Sequence, residues 1–245
     1  MTTTPSQGPS AAEIRALRER IAAEFPTLAE RVATDPKDAS AIGRAIDVLQ
    51  AGGLVVFYSA MTYGIAVSAE NAAAIERLYE LKGRPAQKAL PILSSRRKYR
   101  STVLANEHSR AGLDLAINAL WPGPVTFIVE KLTGDNGYVV PDYVTAGQTS
   151  VALMCMDAVA ESLADRAEFI IAATSANLSG HGSLVCAEDC LRTFKDKVDF
   201  YLVGPASEVG VNTTIVNVSV TPPAILRAGP CPAARLRGYF PDLKG

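Results

Sequence analysis

Short apolar runs alternate with amphipathic helical segments along most of this chain, and this alternation limits the folds that it can adopt. The apolar run at residues 54–58 follows Gly52 and Gly53, a pattern typical of a helix end and then a buried strand. Further strands are predicted at residues 91–93, 125–130, 150–154, 169–173, 200–203, 214–218 and 224–227. Helices are predicted between them: one that is capped by Ser68 and runs to residue 81, and others at residues 107–120, 158–164 and 187–194. This interleaving predicts an α/β or mixed α+β domain around one twisted sheet.

The first 40 residues are predicted to form a tail and a helical extension to a domain at residues 41–240. Residues 1–9 are rich in Thr, Ser, Pro and Gly, which predicts a mobile tail. Ser10 and Glu13 have the spacing of a capping box, and apolar residues follow at helical spacing. The extension carries no recognisable chemistry, so we expect it to serve in packing or in an oligomer contact.

Composition excludes several classes of protein. The chain has 245 residues, of which 48% are hydrophobic, so a substantial core is available and global disorder is excluded. The formal net charge of -1 argues against a generally basic surface for nucleic acids. The four cysteines lack C-x-x-C spacing and there are two histidines, so neither a metal site nor a Ser-His-Asp triad is expected. Without a signal-peptide pattern or an apolar run of transmembrane length, we expect a cytoplasmic protein with no membrane partner.

Basic residues are concentrated in one part of the chain. From Lys82 to Arg110 there are eight of them and a single acid, Glu107. Such a patch is compatible with a polyanionic ligand, either a nucleotide or RNA. A solvated basic surface is an equally good interpretation for its outer members, which are Arg96, Arg97, Lys98 and Arg100.

Lys82 and Arg84 stand two residues apart at the predicted end of a helix. Gly83 loosens the backbone, and Pro85 biases Arg84 away from the helical conformation. An extended turn would aim both cations the same way, with Lys88 a few residues later. Arginine offers a planar fork to phosphate or carboxylate, and lysine a compact charge. Taken alone, the pair is more typical of a solvated basic helix end.

Ser175 and Asn177 repeat this spacing with neutral hydrogen-bonding groups, and together with the two cations they predict one anion-binding site. The order of motifs along the chain then resembles the YrdC/TsaC family, whose best-known members are threonylcarbamoyl-AMP synthases. The resemblance covers residues 41–238 and rests on Tyr63-Gly64, Lys82-Gly83-Arg84-Pro85, Trp121-Pro122-Gly123-Pro124-Val125-Thr126, Ser175-Ala176-Asn177-Leu178-Ser179-Gly180 and Ile225-Leu226-Arg227-Ala228-Gly229.

The resemblance implies a single YrdC-like domain with a twisted mixed sheet and a large, positively charged cleft. It implies a nucleotidyltransferase that uses ATP, bicarbonate and an amino acid, and that releases pyrophosphate. It also implies Mg²⁺ carried on the phosphates, although no carboxylate ligands for the metal are recognisable in the sequence. A role in tRNA modification, with binding of double-stranded RNA, belongs to the same expectation.

The matching positions give the expected site residues. The family's K-x-R and S-x-N groups fall on the expected catalytic residues Lys82, Arg84, Ser175 and Asn177. The expected nucleotide-binding residues are Lys88, Thr214 and Arg227.

The sequence departs from the family in the expected substrate pocket. Relatives carry P-T-E-T-V-Y-G, and here the carboxylate is replaced by Ala60 and a hydroxyl by Met61, while Ser59 and Tyr63 are conservative or identical. Met154 replaces a usual arginine, and losing one such contact would weaken nucleotide binding by about one to two orders of magnitude. Methionine also simply fills apolar gaps, which is the alternative interpretation of these positions.

Three interpretations therefore remain from the sequence. The chain is a threonylcarbamoyl-AMP synthase, or an enzyme of the same reaction type with a substrate other than threonine, such as a carbamoyl-transfer enzyme of secondary metabolism. Alternatively, it is a non-catalytic paralogue that binds RNA or a nucleotide. The intact residues Lys82, Arg84, Ser175 and Asn177 favour an enzyme, while Ala60 and Met154 favour a changed or lost activity.

Overall fold

The structure is a computed structural model, which describes residues 10–85, 87–101, 103–104, 107–132 and 139–245. The mobile tail predicted at residues 1–9 lies outside the described residues. No helix in the described part of the chain is both long and apolar enough to cross a membrane.

The helices are α1 (Ala11–Glu24), α2 (Ala39–Gln50), α3 (Ala72–Lys82), α4 (Glu107–Leu120), α5 (Asp142–Thr145), α6 (Ala158–Arg166), α7 (Ala187–Phe194) and α8 (Ala233–Arg237). The strands are β1 (Val32–Ala33), β2 (Val55–Phe57), β3 (Gly64–Ser68), β4 (Ile92–Leu93), β5 (Val103–Leu104), β6 (Val125–Lys131), β7 (Ser150–Met154), β8 (Ile171–Ser175), β9 (Phe200–Leu202), β10 (Thr214–Asn217) and β11 (Ala224–Arg227). Short 3-10 helices lie at Pro26–Arg31, Tyr99–Ser101 and Lys195–Lys197.

The described strands form one mixed sheet in the order β1-β9-β2-β3-β8-β4-β7-β6-β10-β11, with β5 paired to β6. Neighbours far apart in sequence, such as β3 with β8 and β6 with β10, are therefore hydrogen-bonded side by side. The predicted mixed α/β fold is confirmed. The order places β3 beside β8 and β6 beside β10, with β4 and β7 between the two pairs, although these segments are widely separated in the chain.

The N-terminal extension packs onto this sheet. The capping box is present, with the Ser10 backbone N–H donating to Glu13 Oε2 at 2.8 Å and Ser10 Oγ accepting from the Glu13 backbone N–H at 3.3 Å. Leu17 and Ile21 are buried in the main core, and β1 pairs in parallel with β9. The boundary at residue 40 stays a prediction.

The helix cap predicted at Ser68 is wrong. Ser68 is the last residue of β3, paired with Ile171 of β8, and Asn71 caps α3 by accepting the backbone N–H of Ala74 at 3.0 Å. The strand continues to Ser68 because all of its residues are buried between two neighbouring strands. Tertiary pairing thus overrides the local capping signal.

Candidate functional site

A cavity of about 340 Å³ opens where the strand ends converge. This volume lies in the range usual for small-molecule sites, which is about 300–1,000 Å³. The residues that line it include Met61, Tyr63, Gly64, Arg84, Thr126, Ile128, Gln148, Ser150, Ala152, Met154, Met156, Thr174, Ser175, Asn212, Thr213, Ile215 and Arg227.

The floor of the cavity is one face of β6, β7 and β10. Alternate residues of a strand share a face, and Ser150, Ala152 and Met154 of β7 all line the cavity. Thr126 of β6 stands opposite Met154 on one side and Ile215 of β10 on the other. This row is mixed in character, with one hydroxyl between two large apolar side chains.

A polar chain runs from Arg227 to that hydroxyl. The Arg227 guanidinium donates from Nε to the backbone carbonyl of Thr213 at 3.0 Å and from Nη2 to Thr213 Oγ1 at 3.3 Å. Thr213 Oγ1 in turn lies 2.6 Å from Thr126 Oγ1. These contacts fix the guanidinium at one side of the cavity.

Thr214, the expected nucleotide-binding residue, does not line the cavity. Its side chain is buried, donates to the backbone carbonyl of Cys231 at 2.9 Å and accepts the Cys231 backbone N–H at 3.0 Å. Because side chains alternate along a strand, Thr213 and Ile215 face the cavity and Thr214 faces away. The residue that faces the cavity is therefore Thr213, one position before the predicted one, and the period-two alternation that leads into β10 is the signal that identifies it.

Lys82 is the last residue of α3, and only 3% of it is exposed. The predicted extended turn at this residue is wrong: Gly83 ends the helix in the left-handed region at φ 56°, which glycine adopts without strain. The Lys82 ammonium donates to the backbone carbonyls of Ser175 at 2.5 Å and Asn177 at 2.7 Å, and to Asn177 Oδ1 at 3.2 Å. Burial, with a smaller contribution from the charge of Arg84, lowers the pKa of Lys82 to about 8.

Arg84 lines the cavity, whereas Lys82 and Lys88 do not. The Arg84 guanidinium is half-buried and donates from Nη2 to the backbone carbonyl of Ala89 at 2.9 Å. Lys88 is exposed, and its backbone carbonyl accepts from Tyr79 Oη at 2.7 Å. Lys82 and Arg84 therefore point in different directions: Lys82 points to the backbone carbonyls of Ser175 and Asn177, and Arg84 lies at the cavity.

Ser175 lines the cavity, whereas the half-buried Asn177 does not. Ser175 Oγ donates to Asn177 Oδ1 at 2.6 Å. Asn177 Nδ2 donates to the backbone carbonyls of Leu178 at 3.0 Å and His181 at 2.7 Å. Lys82, Ser175 and Asn177 are thus brought together, and of these three Ser175 lines the cavity.

Three of the five residues predicted for the substrate pocket line the cavity, and two do not. Met61, Tyr63 and Met154 line the cavity. Ser59 and Ala60 do not line it. Ser59 Oγ accepts the Met61 backbone N–H at 3.1 Å, and the Ala60 backbone N–H donates to Asp157 Oδ2 at 2.7 Å.

Tyr63 lines the cavity and is also hydrogen-bonded to the backbone of a distant segment at Gly204. Its hydroxyl donates to the backbone carbonyl of Gly204 at 2.6 Å and accepts the Gly204 backbone N–H at 3.0 Å. Burial raises the pKa of Tyr63 well above its ordinary value, so the hydroxyl stays neutral.

Arg84 and Arg227 are charged, and no carboxylate occurs among the lining residues that the structure describes. The described part of the chain also holds no group of three or more His, Cys, Asp or Glu residues that could bind a metal. The lining therefore does not offer Mg²⁺ a set of protein ligands. The large, positively charged cleft stays a prediction, since Lys82 and Lys88 lie off the cavity.

The fold and the cavity define a mixed α/β protein whose cavity has the size usual for small-molecule sites and is lined by two arginines. Residues 47–229 match the Sua5/YciO/YrdC family, which carries the description "Telomere recombination". The chain belongs to this family, as its motifs predict.

Relatives of known name agree with this assignment. A threonylcarbamoyl-AMP synthase of Pyrococcus abyssi is 31% identical over 201 residues, covering 82% of this chain and 57% of that protein. One from Schizosaccharomyces pombe is 31% identical over 227 residues, covering 84% of this chain and 55% of that protein. The chain thus spans a little over half the length of these curated relatives. The crystal structure of P. abyssi Sua5 complexed with L-threonine has a TM-score of 0.74 and 29% identity, covering 83% of this chain and 58% of that chain.

Proposed function

We propose that this protein is an ATP-dependent nucleotidyltransferase that forms a carbamoyl-amino-acid adenylate. The amine of an amino acid and bicarbonate condense to a carbamate and water. A carbamate oxygen then attacks the α-phosphorus of ATP, and pyrophosphate leaves. The observation that carries the proposal is the convergence of Arg84, Ser175 and Arg227, from three separate family motifs, on one cavity. Relatives named threonylcarbamoyl-AMP synthase support it.

Such a reaction depends on positioning and on neutralising charge, since the nucleophile and leaving group belong to the substrates. Arg84 and Arg227 each present a planar fork that suits phosphate or carboxylate oxygens. Mg²⁺ would enter on the triphosphate, and we assign it no ligands from this chain. tRNA as the eventual acceptor and the cytoplasm as the compartment belong to the same proposal.

Pyrophosphate release tests the proposal. The protein is mixed with ATP, bicarbonate and one amino acid at a time, and pyrophosphate is measured with an enzyme-coupled assay. Release that requires both bicarbonate and an amino acid is the expected result. Absence of release with every amino acid, from a folded protein, would contradict it.

A substrate other than threonine is favoured by the methionines. Met61, Met154 and Met156 all line the cavity, and they are three of the four methionines in the chain. Methionine side chains are flexible and apolar, so they suit a larger and less polar side chain than that of threonine. The amino-acid panel decides this: release with threonine alone returns the function to that of the named relatives.

The non-catalytic RNA-binding alternative has less support. Three of the outer basic residues already have partners within the protein, which leaves them less available to RNA phosphates. Arg96 pairs with Glu161 at 3.3 Å, Arg100 pairs with Asp114 at 2.6 Å, and Lys98 donates to the Ala167 carbonyl. A salt-dependent affinity for double-stranded RNA in a protein that releases no pyrophosphate would favour that alternative instead.

A further inference from the structure

The direction of the hydrogen bonds around Ser175 determines what this residue can offer to a ligand. We infer that Ser175 Oγ is a hydrogen-bond acceptor toward the cavity, and that it binds an N–H or O–H group of the substrate rather than a phosphate oxygen. Lys82 and Asn177 are positioning residues for it. The inference deepens the proposed function, and rests on it for the identity of the substrates.

The orientation of the Asn177 amide is fixed by neighbours with a single hydrogen-bonding character. The backbone carbonyls of Leu178 and His181 accept only, and they lie 3.0 and 2.7 Å from Nδ2. The Lys82 ammonium donates only, and it lies 3.2 Å from Oδ1. Rotating the amide by a half-turn would oppose like groups at all three contacts. Oδ1 therefore faces Ser175.

The proton of Ser175 is committed by this orientation. Asn177 Oδ1 has no proton to give, so the 2.6 Å contact requires the Ser175 hydroxyl to donate. What remains on Oγ are lone pairs. The phosphate oxygens of a magnesium-bound triphosphate carry no proton near neutral pH, so they cannot hydrogen-bond to that oxygen while the contact persists.

Lys82 holds the network from behind the cavity wall. Its three N–H groups are all used, by the carbonyls of Ser175 and Asn177 and by Asn177 Oδ1. The backbone adds a further tie, since the Ser179 N–H donates to the Lys82 carbonyl at 2.8 Å. With 3% exposure and no place in the cavity lining, Lys82 acts through Ser175 and Asn177 rather than by touching a ligand.

The substrates of the proposed reaction offer such donors at two places. One is the amino group of the amino acid, and the other is the set of hydroxyl and exocyclic amino groups on the nucleoside of ATP. Inorganic tripolyphosphate offers none near neutral pH when an excess of Mg²⁺ keeps it deprotonated, so titrations with its magnesium complex separate phosphate binding from donor binding.

Isothermal titration of the wild type and Ser175→Ala tests the inference with tripolyphosphate, ATP and the amino acids of the panel. We expect the affinity for tripolyphosphate to change by less than about two-fold and that of the donor-bearing ligand to fall by roughly 10-fold. The ligand that weakens identifies the source of the donor. Thermal unfolding shows that the variant is folded.

Asn177→Leu provides the second arm, because it releases the serine proton. We expect tripolyphosphate to bind roughly 2- to 10-fold more tightly to Asn177→Leu, and the gain to vanish in the double variant with Ser175→Ala. A merely structural role of Asn177 would not produce a gain. Should Asn177→Leu not fold, the Ser175→Ala titrations decide alone.

Equal losses for tripolyphosphate and ATP in Ser175→Ala would overturn the inference, and so would a wild type that binds none of these ligands. Both readouts are independent of turnover. Failure of the proposed reaction is registered separately, as absence of pyrophosphate release.

Discussion

Lys82 places an ammonium group in the interior with three neutral oxygens around it, and no ion pair joins it to a carboxylate in the described part of the chain. Its folded-state pKa of about 8 lies below the ordinary value of 10.5, so between these values the unfolded chain binds more protons. The free energy of unfolding therefore rises with pH through this window. We expect the unfolding free energy of the wild type, minus that of Lys82→Met, to increase by about 1–2 kcal/mol from pH 8 to 9.5. Urea unfolding measures both values.

Subtracting the variant cancels the contribution of the tyrosines to the pH dependence. Their raised pKa values lower the free energy of unfolding as the pH rises further, which is the opposite direction. Tyr58, for example, has its pKa raised to about 12 by burial. A difference that stays flat across the window would show that Lys82 is not titrating there.

Arg84 and Lys88 offer a matched pair of cations on one segment. Arg84 lines the cavity, and Lys88 is exposed outside it. We expect Arg84→Ala to weaken tripolyphosphate binding by roughly 10- to 100-fold, because a charge-assisted contact is lost, and Lys88→Ala to change it by less than about two-fold. Calorimetric titration at one ionic strength measures both, and equal effects would mean that only the overall charge matters.

At the site, sequence patterns predicted which segments meet but not which side chains face inward. Arg84, Ser175 and Arg227 were identified from motifs and do line the cavity. Lys82 was expected beside Arg84, yet its direction depends on carbonyl groups 93 and 95 residues away. The difference between Thr213 and Thr214 depends on strand register, where a shift of one residue reverses the face.

Among the elements, β3 is the strand that most constrains the site, because its Gly64 is paired directly with Ser175. A Cβ at Gly64 would lie 2.4 Å from Cε1 and Cζ of Phe57, whose ring is fully buried. We expect Gly64→Ala to lower the free energy of unfolding by about 1–3 kcal/mol, since the ring must move within a packed core. Denaturant unfolding measures the loss.

Gly182→Ala is the control for this substitution. A Cβ there meets nothing within 4 Å, and the backbone angle is not left-handed. We expect a change of less than about 0.5 kcal/mol. A similar loss in both variants would mean that the cost does not arise from the contact with Phe57, since the effect of Gly→Ala on the unfolded chain favours folding.

Elements with strong local signals were predicted closely, and β3 was missed. Strand β7 and helix α7 have the predicted bounds, because an apolar run in one case and helical spacing in the other identify them. Strand β3 begins at a glycine and is buried throughout, so its sequence lacks the alternation of apolar and polar residues that would predict a strand. Its two hydrogen-bonded neighbours, β2 and β8, define it instead.

For the whole molecule, the sequence predicted the fold class from the interleaving of elements, but it did not predict how the N-terminal segment joins the sheet. β1 has two residues, and its partner β9 lies about 170 residues further along the chain, at Tyr201 and Leu202. No local pattern specifies a pairing of that separation, since the two partners lie far outside any local stretch of sequence.

Whether this segment unfolds with the rest can be measured. Leu17 of α1 is 2% exposed and belongs to the same buried cluster as the central strands. We expect Leu17→Ala to lower the free energy of unfolding by about 2–4 kcal/mol, since it leaves a cavity in a shared core. Leu115→Ala, at a side chain that is 63% exposed, is the control, with an expected change of less than about 0.5 kcal/mol.

Two probes then show whether the loss is global. Trp121 is the single tryptophan, lies in the family motif before β6 and is buried, with Nε1 donating to the Val125 carbonyl at 2.9 Å. Far-ultraviolet circular dichroism reports all helices, including α1. If residues 10–40 and the sheet unfold as one unit, both probes shift together in Leu17→Ala. A fluorescence transition that stays at its wild-type midpoint, while the dichroism shows an earlier step, would mean that the extension unfolds independently and that the predicted boundary at residue 40 separates two cooperative units.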